Sequence, residues 1–362
     1  MHGSEMQDFW RGRRVFLTGH TGFKGGWLSL WLATLGAKVT GYALAPPASR
    51  NLWAALTEGV EDRLVERSTL ADIRDRTTLQ RELASADPQV VIHMAAQALV
   101  RESYLDPVGT FGTNVLGTAH LLEACRGLER LECVVVVTSD KVYENSGGGG
   151  AFAEGDRLGG HDPYSSSKAC AELVSASFRD SFFPGAIPIA TARAGNVIGG
   201  GDWSDDRLIP DCVRALDRGE SVMLRYPEAV RPWQHVLEPL SGYLELARTL
   251  ILAPGAAPRA VNFGPEAASF CTVSQVVEAF AARFGGKPAW QREGTPQPVE
   301  ACALTLSSAL ARDTLGWRPR LDIRESLAWT ADWYRAHSAG ENMREFSQRQ
   351  IERYGELMKR DS

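Results

Sequence analysis

The chain has 362 residues, with 39 Lys and Arg against 44 Asp and Glu, a formal charge of -5. That length holds about two domains, or one large domain with an elaboration, and it buries a core without a disulfide or metal staple. Hydrophobic content of 44% and charged content of 23% exclude disorder, collagen and coiled coil, and the mild acidity argues against a nucleic-acid binder. In chain order, Arg14–Thr18 (RVFLT) reads as a short buried strand, followed by a glycine-rich turn and an amphipathic helix over 26–35. Lys38–Ala43, 89–93 and 133–138 read as further strands. Residues 118–126 and 164–178 read as helices, and 341–360 as a polar terminal helix. The run 145–150 (NSGGGG) reads as a flexible connection, and 199–203 (GGGDW) cannot be regular structure. Strands alternating with helices, and strands that are continuous apolar runs, predict an α/β fold with a parallel sheet covered on both faces.

The glycine turn carries the first chemical signal. Gly19, Gly22 and Gly25 stand directly between a strand and a helix. A turn of this kind lets the backbone approach a pyrophosphate, and the helix start offers free N–H groups and positive charge to it. Dinucleotide binding is the expectation. An acid on the ribose is usual about 20 residues on. Here the second strand ends Gly41-Tyr42-Ala43-Leu44 without one, and Arg50 comes late for a 2′-phosphate, so spacing does not choose between NAD and NADP. Asp72 reads equally as an adenine-edge contact or a cap.

A second signal lies in Tyr164 and Lys168, four residues apart on one helix face behind an Asp162-Pro163 start. A Lys ammonium beside a phenol lowers its pKa, which suits the Tyr to act as base toward an alcohol. Thr138-Ser139-Asp140-Lys141 closes an apolar strand, where side chains face the ligand crevice of a parallel sheet. It offers a hydroxyl, an acid and a base to one substrate.

Together these segments resemble the extended short-chain dehydrogenase/reductase superfamily. The resemblance rests on 18–25 (TGHTGFKG), Tyr164 with Lys168, 93–97 (HMAAQ), 114–118 (NVLGT), 138–141 (TSDK), 193–203 (RAGNVIGGGDW) and 231–236 (RPWQHV). Leu315-Gly316-Trp317 and Arg349-Gln350-Ile351 extend it nearly to the end of the chain. Within the superfamily the pattern is similar to the CDP-glucose 4,6-dehydratases. Lys141 carries that point, because the dTDP-glucose enzymes have Glu there.

The resemblance implies a Rossmann-type doubly wound sheet with a smaller α/β substrate domain. It places an NAD domain at 1–192, with a return segment around 232–260, and a sugar-nucleotide domain at 193–231 and 261–362. It implies conversion of CDP-glucose to CDP-4-dehydro-6-deoxy-D-glucose and water, in deoxysugar synthesis of the kind that feeds lipopolysaccharide O-antigen. Tyr164 takes the 4-OH proton as C4 gives hydride to NAD. Lys168 holds the phenol acidic and the nicotinamide ribose, and Ser139 bonds the 4-oxygen. Lys141, as a neutral amine, removes the C5 proton, and Asp140 protonates the departing C6 hydroxyl.

NAD is expected against Gly19, Thr21, Gly22, Phe23, Lys24, Gly25, Asp72, Ile73, Ala95, Ala96, Asn114, Thr138, Tyr164 and Lys168. The nucleotide sugar is expected against Gln97, Asn196, Gly201, Asp202, Trp203, Arg207, Arg231 and His235. Core packing competes for Trp203 and Trp233, and a structural role for His235. Another nucleotide-sugar dehydratase or an epimerase is the neighbouring reading, and a non-catalytic NAD-binding protein the distant one. An epimerase has no need of Asp140 beside Lys141. Retention of Tyr164 and Lys168 argues against a silent protein.

Helices after Asn114 and at Tyr164 resemble those of a four-helix dimer contact, so a homodimer or a dimer of dimers is expected. Cys125, Cys133, Cys170, Cys212, Cys271 and Cys302 are dispersed without a CxxC pair, so no metal site or disulfide framework is expected. No apolar leader opens the chain and no apolar run is of membrane-spanning length, so the expected location is cytoplasmic, with no membrane partner.

Overall fold

Seven parallel strands form the centre of the molecule: β1 (Arg14–Thr18), β2 (Lys38–Ala43), β3 (Arg67–Leu70), β4 (Val90–His93), β5 (Cys133–Val137), β6 (Ile189–Arg193) and β7 (Ala260–Asn262). The order across the sheet is β7-β6-β5-β4-β1-β2-β3, a Rossmann-type arrangement. This is a computed structural model, and it describes residues 2–61, 63–145, 150–183, 185, 187–285, 290–294 and 304–360. Most of the glycine-rich connection around 147 and Cys302 lie outside the described residues.

The central strands are apolar because helices cover both faces. Every residue of β4 and β5 is buried. β1 pairs with β2 through Arg14 opposite Lys38 and with β4 through Val15 opposite Val90. Strand order reverses between β1 and β4, so their carboxyl ends open a crevice at the glycine turn.

The helix after β1 runs Phe23–Thr34 and starts earlier than the sequence pattern suggests. It is also not amphipathic in use, because Gly25 through Leu32 are all buried. The terminal helix Met343–Arg360 and the helix Leu52–Thr57 pack on it, so no side of its middle faces water. The catalytic-segment helix runs Pro163–Phe182, with Pro at its first position and the Asp162 carboxylate accepting from Ser165 N at 2.9 Å.

After β6 the chain forms short paired strands and returns as the buried helix Leu237–Leu252 against the sheet. Residues 197–198 pair with 234–235, and Val230–Pro232 pairs antiparallel with Phe270–Thr272. The terminal helix leans back on the first half through His2–Trp10 and Phe23–Thr34. No described helix is long and apolar enough to cross a membrane.

Candidate active site

The glycine turn is built by steric necessity at two positions. Gly19 has φ +78, and an added Cβ would lie 2.9 Å from Ala95 N. At Gly25 an added Cβ would lie 2.0 Å from Gly19 O, so only glycine lets the helix start this close to the turn. Gly22 is the N-cap without a side-chain cap bond, and no acid sits in the first turn. The free N–H groups therefore remain available to an anion.

Thr18 fixes the opposite wall. Its hydroxyl oxygen accepts from Met94 N and Ala95 N, both at 3.0 Å, and lies 2.7 Å from His93 Nδ1. His93 Nε2 is 3.1 Å from Thr118 Oγ1, which itself donates to Asn114 O at 2.7 Å. These directions require a neutral His93 with its proton on Nε2. Burial and the nearby Lys168 charge push this imidazole down to about 3, which agrees.

The Asn114 side chain lies in a π-helical turn, Gly112–Leu116, where its carbonyl oxygen accepts from Gln97 N at 2.9 Å. Its amide donates to Gln97 O at 3.0 Å and Ser167 Oγ at 2.8 Å. Gln97 spends its own amide on Leu99 O and Thr110 Oγ1. Both side chains therefore hold the loop after β4 in shape.

Further along the crevice, Ile73 is buried against Gly117, and the Asp72 carboxylate holds Arg74 at 2.6 Å. Hydrogen bonds from Arg74 hold Asp72 below the usual carboxylate range. Thr21 is buried with its hydroxyl on Leu44 O at 2.9 Å, and Ala96 is half-buried in the loop. Arg50, left open as a 2′-phosphate contact, lies over the Trp203 ring at 5.5 Å and 3.7 Å from Asp217.

At the end of β5, Ser139 caps a short turn, Asp140–Val142, accepting from Lys141 N at 3.2 Å. Ser139 Oγ donates to Asp140 Oδ1 at 3.0 Å, and Ser139 and Asp140 both act on the Tyr164 phenol. Asp140 is buried, and Asn196 Nδ2 donates to its Oδ2 at 3.4 Å. Asn196 adopts φ +49, a left-handed conformation costly for most residues. Gln234 holds this turn by donating to Asn196 O through its backbone at 3.2 Å and to Gly195 O through its side chain at 3.2 Å. Lys141 is half-buried, and no hydrogen bond or ion pair engages its amine among the described residues.

Lys168 is buried and its amine donates to Val137 O at 3.3 Å. Burial pushes it down to about 8, while the Glu172 charge opposes the fall. Burial raises Tyr164, and the Ser139 hydrogen bond and the Arg207 charge act the other way. The expected lowering by Lys168 is thus not what the protein alone supplies, because desolvation dominates the phenol. Burial, with the Arg207 and Lys168 charges, brings the half-buried Lys24 down to about 7, against the Asp140 and Asp202 charges. Lys24, Asp140, Tyr164, Lys168, Asp202 and Arg207 therefore form one electrostatically coupled cluster. Asp202 is buried and its carboxylate is 3.1 Å from Arg207.

Three residues expected at the nucleotide are engaged in packing. His235 is fully buried between the rings of Trp27 and Trp329, and burial drops it to about 3. Trp203 packs edge-on against Tyr334 at 5.1 Å and beside His337, beneath Arg50. The His235 ring is enclosed, and the half-buried Trp203 packs against the same core. Gly201 has φ +82, and an added Cβ would lie 2.5 Å from Leu52 Cδ1, so its glycine answers to backbone geometry and packing. Phe23 likewise lies against Gly199, whose added Cβ would be 3.1 Å from the Phe23 ring. Arg231 stands half-buried on the ribbon Val230–Pro232, and its guanidinium donates to Val230 O at 3.0 Å.

Beside Lys168 is a buried cluster that sequence reasoning missed. Glu172 accepts from Thr138 Oγ1 at 2.5 Å, Thr191 Oγ1 at 2.6 Å, Arg193 Nε at 2.9 Å and Arg193 Nη2 at 2.8 Å. Arg193 also donates to the Tyr143 hydroxyl at 2.7 Å, which donates to Asn262 Oδ1 at 2.7 Å. The available signal was helical spacing, since Glu172 continues the face of Tyr164 and Lys168.

The family model described as GDP-mannose 4,6 dehydratase matches residues 16–330. A CDP-glucose 4,6-dehydratase of Salmonella typhimurium is 45% identical over 354 residues, covering 96% of this chain and 98% of that protein. A dTDP-glucose 4,6-dehydratase of Xanthomonas campestris is 29% identical over 338 residues, covering 88% and 92%. Among solved structures, MoeE5 in complex with UDP-glucuronic acid and NAD superposes with a TM-score of 0.75 at 26% identity, covering 89% of this chain and 99% of that one.

Proposed function

The chain belongs to the GDP-mannose 4,6 dehydratase family, and from that premise we propose that it is an NAD-dependent CDP-glucose 4,6-dehydratase. One observation carries the reading: Ser139 and Asp140 are bonded to each other and act on Tyr164, next to Lys141, in a chain 45% identical to a CDP-glucose enzyme. The product is CDP-4-dehydro-6-deoxy-D-glucose, formed with loss of water and no net redox change.

The glycine cradle, closed to any Cβ at Gly19 and Gly25, and the uncapped helix start fit a dinucleotide diphosphate. The chemistry that bound NAD would supply is the transient hydride acceptor for C4 oxidation and C6 reduction. Gly19 through Gly25, with Lys24 beside them, would hold the dinucleotide at the diphosphate, Asp72 and Ile73 at the adenosine, and Lys168 at the nicotinamide ribose. Ala95, Ala96, Asn114 and Thr138 would shape the wall between.

Tyr164 accepts the 4-OH proton, and Ser139 would bond the 4-oxygen. Lys168, kept charged, favours that anion. The 4-ketone acidifies the C5 hydrogen. Lys141 removes it through an amine that no carboxylate engages among the described residues. Asp140, buried between Ser139 and Asn196, donates the proton to the departing C6 hydroxyl. Arg207 and Arg231 would meet the substrate diphosphate with bidentate forks.

We assign the cofactor to 1–192 with 232–260, and the nucleotide sugar to 193–231 and 261–362. We further propose a homodimer. Support comes from Leu105 and Val108, 80% and 81% exposed, and from Leu173, 60% exposed on the Pro163–Phe182 helix that packs beside them. A cytoplasmic location, supported by the free thiols among the described residues, completes the proposal, and the keto-deoxysugar product suits deoxysugar synthesis of the kind that feeds O-antigen.

The test is incubation with CDP-, dTDP-, UDP- and GDP-glucose in the presence of NAD. CDP-glucose is expected to yield the keto sugar without accumulation of NADH. Recovery of unreacted CDP-glucose alone overturns the reading, and preference for another base overturns its nucleotide part.

A further inference from the structure

The Glu172–Arg193 pair is buried, each side chain 4% exposed. A buried ion pair is weak evidence for stability, because desolvation offsets the attraction. Its partners give it a different meaning. Thr138, which donates to Glu172, directly precedes Ser139. Arg193 stands two residues before Gly195 and three before Asn196, the turn that encloses Asp140. Glu172 itself lies one helical turn beyond Lys168 and two beyond Tyr164, on the same face.

The pair therefore joins the ends of β5 and β6 to the helix that carries the base. Through Tyr143 and Asn262 it also reaches β7, where Asn262 Nδ2 donates to Phe152 O at 2.9 Å and Asn262 N to Glu154 Oε1 at 2.8 Å. All four hydrogen bonds on the Glu172 carboxylate come from fixed donors, so the group is immobile.

We propose that Glu172 is a positioning residue for the dehydration: its carboxylate, bonded to Thr138, Thr191 and Arg193, ties the ends of β5 and β6 to the helix of Tyr164 and Lys168 and so holds Ser139 in register with Tyr164. The inference rests on the dehydratase reading above. The charged groups around Lys168 can be named by element. Glu172 and Tyr164 face it from its own helix, Lys24 from Phe23–Thr34 and neutral His93 from β4. Beyond them lie Asp140, which acts on Tyr164 and Lys24, and Arg193, which is consumed by Glu172. Glu172 is the carboxylate whose charge opposes the desolvation of Lys168.

The test compares wild-type holoenzyme with Glu172→Gln, Glu172→Asp and the double variant Glu172→Gln/Arg193→Met. The double variant removes the guanidinium that Glu172→Gln would leave without its carboxylate, and circular dichroism checks its fold. Lys168 is followed across pH by competitive amine labelling, which needs no turnover, and kcat and KM for CDP-glucose are followed in parallel. In both Gln variants the Lys168 titration and the alkaline limb of kcat are expected to move down by about one pH unit. The value of kcat is expected to fall about tenfold or more, with KM changed by less than about threefold. Glu172→Asp is expected to restore the limb in part. A folded double variant with unmoved Lys168 labelling and an unmoved limb overturns the proposal. A wild-type enzyme without turnover but with the labelling shift overturns only the dehydratase reading.

Discussion

Gly195 makes room for Asp140: a Cβ added at Gly195 would lie 1.9 Å from Asp140 Oδ2 and 2.0 Å from its Cγ. The carboxylate cannot simply step aside, because Ser139 and Asn196 hold its two oxygens. Gly195→Ala is therefore expected to displace the acid while leaving the sheet intact. The value of kcat should fall about a hundredfold, since small misplacements of a catalytic group have that scale of effect. Circular dichroism and melting temperature should change little. Retention of near-wild-type kcat would remove Asp140 from the elimination.

Lys141 gives a separable prediction. It is half-buried and its amine has no carboxylate partner among the described residues, so replacing it should cost little stability. Lys141→Met is expected to preserve C4 oxidation and to stop loss of water. The readout is deuterium at C5, because a base that removes this proton also exchanges it with solvent. Wild-type enzyme in D2O should label C5 and the variant should not. Unchanged labelling would assign the C5 proton to another group, Lys24 being the next amine in the cluster.

The legibility of these features differed for physical reasons. β1 and β2 were readable to the residue, because a buried parallel strand is an apolar run with a turn signal at its end. β3 and β7 carried no such mark. β3 alternates half-buried and exposed residues at the sheet edge, and β7 is three residues long. Their strand character comes from the neighbour they pair with. The Tyr164–Lys168 pair and the glycine turn were legible because helix periodicity and local backbone needs fix their spacing. The enclosure of His235 by Trp27 and Trp329 was not, since those residues lie far apart in the chain. The same holds for the tryptophans. Trp27 donates to Gly200 O at 2.9 Å, and a Cβ on Gly200 would lie 1.9 Å from the Trp333 ring. Trp27 and Trp333 therefore clamp the 199–203 loop, a use that composition does not reveal.

The exposed apolar face predicts the assembly. Leu105, Val108 and Leu173 stand on helices that pack side by side, and each would be costly to leave in water in a monomer. Val108→Arg with Leu173→Arg is expected to convert a dimer to a monomer by sedimentation at micromolar concentration. Folding should persist, because these side chains contribute little to the subunit core. An unchanged dimer would place the interface elsewhere.

Lys24 couples ligand binding to protons. Burial and the charges of Arg207 and Lys168 hold its amine near 7 in the free protein, against the pull of Asp140 and Asp202. A diphosphate anion beside it favours the ammonium, so the pKa rises on binding. The sign follows. Below pH 7 the amine is already charged and binding takes up no proton. Above pH 7 a proton must be gained, so affinity falls with rising pH, by up to about tenfold per unit until the pKa of the complex is passed. Lys168, held near 8, contributes a similar slope at higher pH, so the comparison must isolate Lys24. Lys24→Met should flatten the fall between about pH 7 and pH 8 while leaving the higher-pH portion. Titration calorimetry of NAD and of CDP-glucose, each in two buffers of different ionisation heat, reads the proton count directly. The ligand whose proton uptake disappears in Lys24→Met is the one whose diphosphate Lys24 holds, and equal uptake in wild type and variant for both ligands would deny Lys24 any phosphate contact.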